Sequence, residues 1–111
     1  MDTEYQGIKS MDQKTAIQTV NRYHDFLKKR RYKIIKAYIF GSYSKNTYTE
    51  DSDIDIAIIM ENIDNHFDTQ IDLMKLRRNF DTRIEPHPFE VEDFNDSNPF
   101  ACEIIKTGIE V

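Results

Sequence analysis

With Cys102 as its single cysteine, this 111-residue chain can form no intrachain disulfide. That usage fits a reducing compartment such as the cytosol, so a cytoplasmic location is expected. Tryptophan is absent, and glycine and proline number three each. No apolar run approaches the ~18 residues a membrane helix needs. The opening MDTEYQGIKSMDQK has no apolar stretch behind a basic start, so no secretory signal is expected. Internal repeats, low-complexity tracts and Gly/Ser linkers are all missing. The three prolines (Pro86, Pro88, Pro99) fall after residue 85, which makes the C-terminal quarter the more irregular part.

What is present is the profile of a folded domain. Hydrophobic residues make up 39% and charged residues 32%, with seven Phe and six Tyr. That balance excludes a disordered chain. The length implies one domain over residues 1–111, with 1–10 loosely held. A chain this short can bury one core, but not a core and a deep enclosed cavity as well. The net charge of −5 argues against non-specific nucleic-acid binding.

Periodicity lays out the elements. Ser10 followed by Gln13 fits a capping box for a helix over about 11–31. Ala16, Ile17, Val20, Tyr23, His24 and Leu27 form its buried stripe. Lys28, Lys29, Arg30 and Arg31 suit the negative end of its dipole. Residues 33–40 read as a strand, 42–47 as a turn with a short helix, and 53–60 as a second strand. A helix over 66–79 is expected to turn Phe67, Ile71, Met74 and Leu73 inward. Residues 81–87 read as a third strand, on a sheet edge because Pro86 lacks an N–H. Asn98-Pro99 reads as a helix start. Gly108 reads as a left-handed stop. Between them lies a helix over 99–107, with Phe100, Ile104 and Ile105 facing the core. Residues 109–111 could add a short strand. The fold class is α/β (α+β), a small mixed sheet with helices packed on one face.

The chemistry concentrates in GSYSKNTYTEDSDIDIAIIM. An apolar strand, Ala37 to Phe40, runs into Gly41-Ser42. Ten residues later, Asp53 and Asp55 open another apolar run. Residues two apart on a strand share a face, about 7 Å apart along the chain. Ile54, Ile56 and Ile58 take the opposite face, while Ala57 and Ile59 continue the face of the aspartates. Two carboxylates beside buried strand residues are costly unless a cation or partner neutralises them.

The pattern G-S-x10-D-x-D resembles the signature of nucleotidyltransferases related to DNA polymerase beta. At this size the chain is similar to a minimal nucleotidyltransferase domain. The motif block, residues 38 to 60, covers about a fifth of the sequence. The resemblance implies Mg²⁺-dependent transfer of a nucleoside monophosphate, with AMP from ATP expected, to a hydroxyl acceptor. It implies two divalent cations, Mn²⁺ being an alternative, clamping the attacking and leaving oxygens. Asp53 and Asp55 would be ligands. Glu85 would be the third acid, on a neighbouring strand where relatives more often carry aspartate. Alternation puts Arg83, Glu85 and His87 on one face of that strand. Gly41 would let the triphosphate approach the backbone. The Ser42 hydroxyl would donate to it, and Lys45 would add countercharge. Asn46 or Thr47 stands where relatives often have a second glycine, and Asn tolerates a left-handed turn. Free-standing members of this family are often antitoxin-like partners of a helical HEPN-type protein. That leaves a docking module as the rival reading, and a homo-oligomer open.

Two other metal sites fail on spacing. Asp51, Asp53 and Asp55 match the first EF-hand ligands, but Ile56 and Asn62 stand where glycine and glutamate are required. His24, His66, His87 and Cys102 lack zinc-ligand spacing. The basic cluster from Lys28 to Lys36 and the acidic Glu90, Glu92, Asp93 and Asp96 read as solvated surface.

Overall fold

The computed structural model describes residues 11–30 and 32–111. Helix α1, Gln13–Lys28, leads into strand β1, Lys33–Phe40, and the one-turn helix α2, Ser42–Lys45. Strand β2, Ile54–Glu61, follows, then helix α3, His66–Leu76, with a 3-10 turn, Arg77–Asn79. Strand β3, Ile84–Glu90, and a 3-10 turn, Val91–Asp93, precede helix α4, Pro99–Thr107, and strand β4, Ile109–Glu110.

The sheet order is β3-β2-β1-β4. Strand β1 is antiparallel to β2 and β4, while β2 and β3 run parallel. A parallel pair needs a crossover, and α3 provides it. The α+β class and the mixed sheet therefore stand as expected. The helices divide, however. Helices α1 and α3 pack on one face, where Val20, Tyr23, Leu27 and Leu73 meet Ala37, Ile39, Ile54, Ile56 and Ile58. Helix α4 lies on the other, where Ile104 joins Tyr38, Ala57 and Ile59. Both faces of β2 are thus buried, which is why its sequence is an almost unbroken apolar run.

Several boundaries differ from the sequence reading for local reasons. Ser10 and Arg31 lie outside the described residues. Asp12 caps α1 by accepting the Thr15 N–H at 2.8 Å. The third strand starts at residue 84 rather than 81. Asp81 ties up the chain first, accepting from the Arg83 N–H at 2.9 Å while its carbonyl accepts the Ile84 N–H. Such side-chain bonds compete with a ladder.

Strand β3 is the edge expected from Pro86. Its even-numbered carbonyls face away from β2 and are met by α3 and the turn after it: Gln70 Nε2 donates to Pro86 O at 2.6 Å, and Arg77 to Ile84 O at 2.8 Å. Pro86 and Pro88 share that outward alternation, so no ladder donor is lost.

In α3 the inward residue is Leu73, and Phe67 and Ile71 face outward. The helix sits with its 69–73–76 side on the sheet, half a turn from the stripe expected. In α4, Ala101 and Ile104 are buried while Phe100 and Ile105 are about half exposed. Gly108 is not left-handed, since its φ is −78°. Glycine is required there for space. A Cβ would stand 2.5 Å from Ile104 O and 3.0 Å from Ile39 O.

On the buried side of α1, Tyr23 donates to Leu73 O at 2.7 Å, tying α1 to α3. His24 beside it is buried, and its Nε2 has no partner among the described residues. Burial, helped by Lys28 and opposed by Asp25, holds its pKa below the usual 6.5. The unfolded chain therefore takes up a proton first as pH falls. Stability should be full above about pH 6.5 and decline as pH drops through the lowered folded value. Denaturation midpoints at about pH 7.5 and about pH 5.5 should differ in the wild type. His24→Leu should flatten that difference, and an unchanged slope would refute this role.

Candidate active site

The candidate residues gather where β1 ends and β2 begins. Phe40 pairs with Asp55 across the antiparallel ladder, so the residue after Phe40 must turn away beside that carboxylate. Gly41 makes the turn with φ +77° and ψ −146°, a region open to glycine almost alone. A Cβ on Gly41 would come within 2.8 Å of Asp55 Oδ2. The Gly41 backbone therefore runs directly against the Asp55 carboxylate. The chain continues into α2. Its Lys45 N–H bonds Gly41 O at 3.1 Å, the Ser44 hydroxyl donates to the same carbonyl at 3.0 Å, and buried Tyr43 anchors the turn in the core. Asn46 ends it with φ +61°, in the left-handed region that asparagine tolerates.

The carboxylates are arranged unequally. Asp55 is on β2 and half-buried, whereas Asp53 precedes the strand and is exposed. Glu85 is the register partner of Asp55 on the parallel neighbour β3, which puts the two on one face of the sheet. Among the described residues no three His, Cys, Asp or Glu side chains converge closely enough to hold a metal ion. The donor set still suits Mg²⁺, which takes oxygen ligands, keeps several waters and commonly binds through one or two carboxylates plus substrate phosphates.

One neighbour was not singled out from the sequence. His87 Nε2 lies 3.1 Å from Asp55 Oδ1, and its ring packs edge-on against Phe40 at 5.1 Å between centroids. The signal was available, because His87 follows Glu85 by two residues and sits opposite Ala57. Arg83, the third residue of that alternation, is engaged elsewhere. It grips Asp81 in a two-point ion pair at 3.1 and 3.0 Å. Burial raises the Asp81 pKa, but the hydrogen bonds from Arg83 outweigh it and the net shift is downward.

Lys45 is not a free countercharge in this state. Its ammonium lies 3.4 Å from Glu103 of α4, with both side chains about half exposed. Pairs this exposed contribute little, so a phosphate could draw the lysine away at small cost. The turn, Asp55, Glu85 and His87 thus form one corner of the molecule, with exposed Asp53 two residues before Asp55 and Lys45 paired with Glu103.

The family described as Polymerase beta, Nucleotidyltransferase matches residues 21–111. Two solved structures share the fold. A chain of the toxin-antitoxin MntA-HpeT, crystallised as a mutant, is 24% identical with a TM-score of 0.59, covering 82% of this chain and 69% of that one. A candidate nucleotidyltransferase from Sulfolobus solfataricus is 20% identical with a TM-score of 0.52, covering 88% of this chain and 77% of that one. Among curated proteins no match was found.

Proposed function

Because the chain belongs to the polymerase beta nucleotidyltransferase family, we propose that it transfers a nucleoside monophosphate to a hydroxyl acceptor, with ATP as donor and Mg²⁺ as the metal. The observation that carries this reading is the packing of the Gly41 turn on Asp55, with Glu85 in register beside it.

In the reaction, an acceptor hydroxyl oxygen bonds to the α-phosphorus. The bond from that phosphorus to the bridging oxygen breaks, and pyrophosphate leaves. Asp53, Asp55 and Glu85 would hold the divalent cation, which when bound supplies positive charge against the phosphoryl oxygens. The bare backbone of Gly41 lets the triphosphate lie close. The Ser42 hydroxyl donates to a β- or γ-phosphate oxygen, and Lys45 adds its charge after leaving Glu103. Glu85 would also help take the proton from the acceptor hydroxyl.

The acceptor is a macromolecule in this reading. The toxin-antitoxin neighbour supports a protein partner, a HEPN-type helical protein being the form the family resemblance suggests. A second reading, an antitoxin-like docking module with little or no catalysis, is favoured by the same neighbour and by the His87 bond that engages Asp55.

A labelling experiment separates the two. The protein is incubated with Mg²⁺, an extract of its own cells, and ATP carrying the label on either the α- or the γ-phosphate. Transfer requires that the α-label alone enters a macromolecule. If neither label enters while a helical protein co-purifies, the docking reading holds and the enzyme reading fails.

A further inference from the structure

The catalytic reading leaves the outward side of α3 unused. Phe67 is 71% exposed and Ile71 40% exposed. With Met74 they recur at four and three residues, so they form one stripe along the helix. An apolar cleft of about 430 Å³ runs along it, bounded by Gln70, Lys75 and Arg78. The sheet cannot bury this stripe, because Leu73 on the opposite side of the helix is what packs inward.

Charge along the same face is polarised. Asp64 and Asp68 lie at the N-terminal end, and Lys75 and Arg78 at the C-terminal end. All four are exposed. At 100° per residue, Asp68 and Lys75, both within the helix, fall within about 60° of Ile71. Such a helix complements itself when reversed. In an antiparallel pair centred on Ile71, Asp68 meets Lys75 of the other copy, with Asp64 and Arg78 lying just beyond the helix ends. Phe67 and Met74 then close over the apolar middle. The opposed macrodipoles favour the same orientation.

We infer that α3 is the self-contact face of a two-fold symmetric dimer of this chain, with two α3 helices packed antiparallel across Ile71. The arrangement is isologous, so each charged pair occurs twice and a residue exchanged with its opposite keeps the match. An 11-residue helix is about 16 Å long. It buries much less than the ~800 Å² per partner of a standard interface, so the dimer is a weak, concentration-dependent one.

Sedimentation velocity of the full chain over about 20 µM to about 1 mM tests it. The wild type should move from monomer to dimer across the range. Ile71→Asp, at an exposed site that leaves the core untouched, should abolish the dimer. Asp68→Lys and Lys75→Asp should each weaken it at least about tenfold, and the two together should restore it to within about threefold. A wild type that stays monomeric throughout overturns the inference, as does a dimer that survives Ile71→Asp. If the double exchange fails to restore association, the antiparallel register is wrong and the inference falls with it.

Discussion

Asp55→Asn should lower nucleotidyl transfer by about 10³-fold, equivalent to about 4 kcal/mol of barrier, while leaving the fold intact. The two effects separate because of where the side chain sits. Asp55 is on β2, but its carboxylate is about a third exposed and its recorded hydrogen bond is to His87. An asparagine keeps the size and can still bond the imidazole. What it loses is the negative charge that would oppose a cation. Transfer of the α-label and thermal unfolding, measured on the same preparation, check the prediction. Activity within threefold of wild type would remove Asp55 from the chemistry. A collapse of stability together with activity would assign it a structural role instead.

Gly41→Ala should damage both stability and nucleotide binding. The backbone at Gly41 has φ +77° and ψ −146°, which an L-residue adopts at a cost of about 1–3 kcal/mol. The new methyl would also sit 2.8 Å from Asp55 Oδ2, nearer than any relaxed contact. Either the carboxylate swings away or the turn opens, and each outcome dismantles the corner where triphosphate and cation would meet. For a domain of this size, the strain alone corresponds to a fall in melting temperature of about 4–8 °C per kcal/mol. Calorimetric melting and titration with a Mg²⁺–nucleotide check the two halves. An alanine variant with unchanged melting temperature and unchanged affinity would show that the turn is neither strained nor part of the site.

The turn at Gly41 and the strand that carries Asp55 were readable in advance because their signal is local. Gly41-Ser42 ends one apolar run and Asp53-x-Asp55 opens the next, and antiparallel pairing of the two runs leaves the turn beside Asp55. The long apolar run of β2 likewise announced an interior strand. Asn98-Pro99 announced α4 because capping depends on neighbours a few residues apart.

The failures depend on tertiary placement. Phe67, Ile71 and Met74 make a convincing apolar stripe, as do Leu73, Leu76 and Phe80. Sequence periodicity cannot say which of two stripes meets the sheet. Gly108 looked like a left-handed stop, but it is needed for space against Ile104 O and against Ile39 O, the latter almost 70 residues away. The helices were expected on one face because nothing in α4 marks the side of the sheet it covers. His87 was missed as a neighbour of Asp55 because β2–β3 register is not written in either strand alone. Lys45 was seen as a phosphate countercharge, and its pairing with Glu103 depends on α4 folding back beside the turn.

The central claim is that the Gly41–Ser42 turn and the Asp53/Asp55 carboxylates make a single cation-dependent nucleotide site. Isothermal titration with a non-hydrolysable ATP analogue measures this most directly, with and without Mg²⁺, on the wild type and on the Asp53→Asn/Asp55→Asn double variant. Binding is expected only with Mg²⁺ in the wild type, and should weaken at least about tenfold in the double variant. Equal affinity without the metal, or in the variant that lacks both charges, would contradict it.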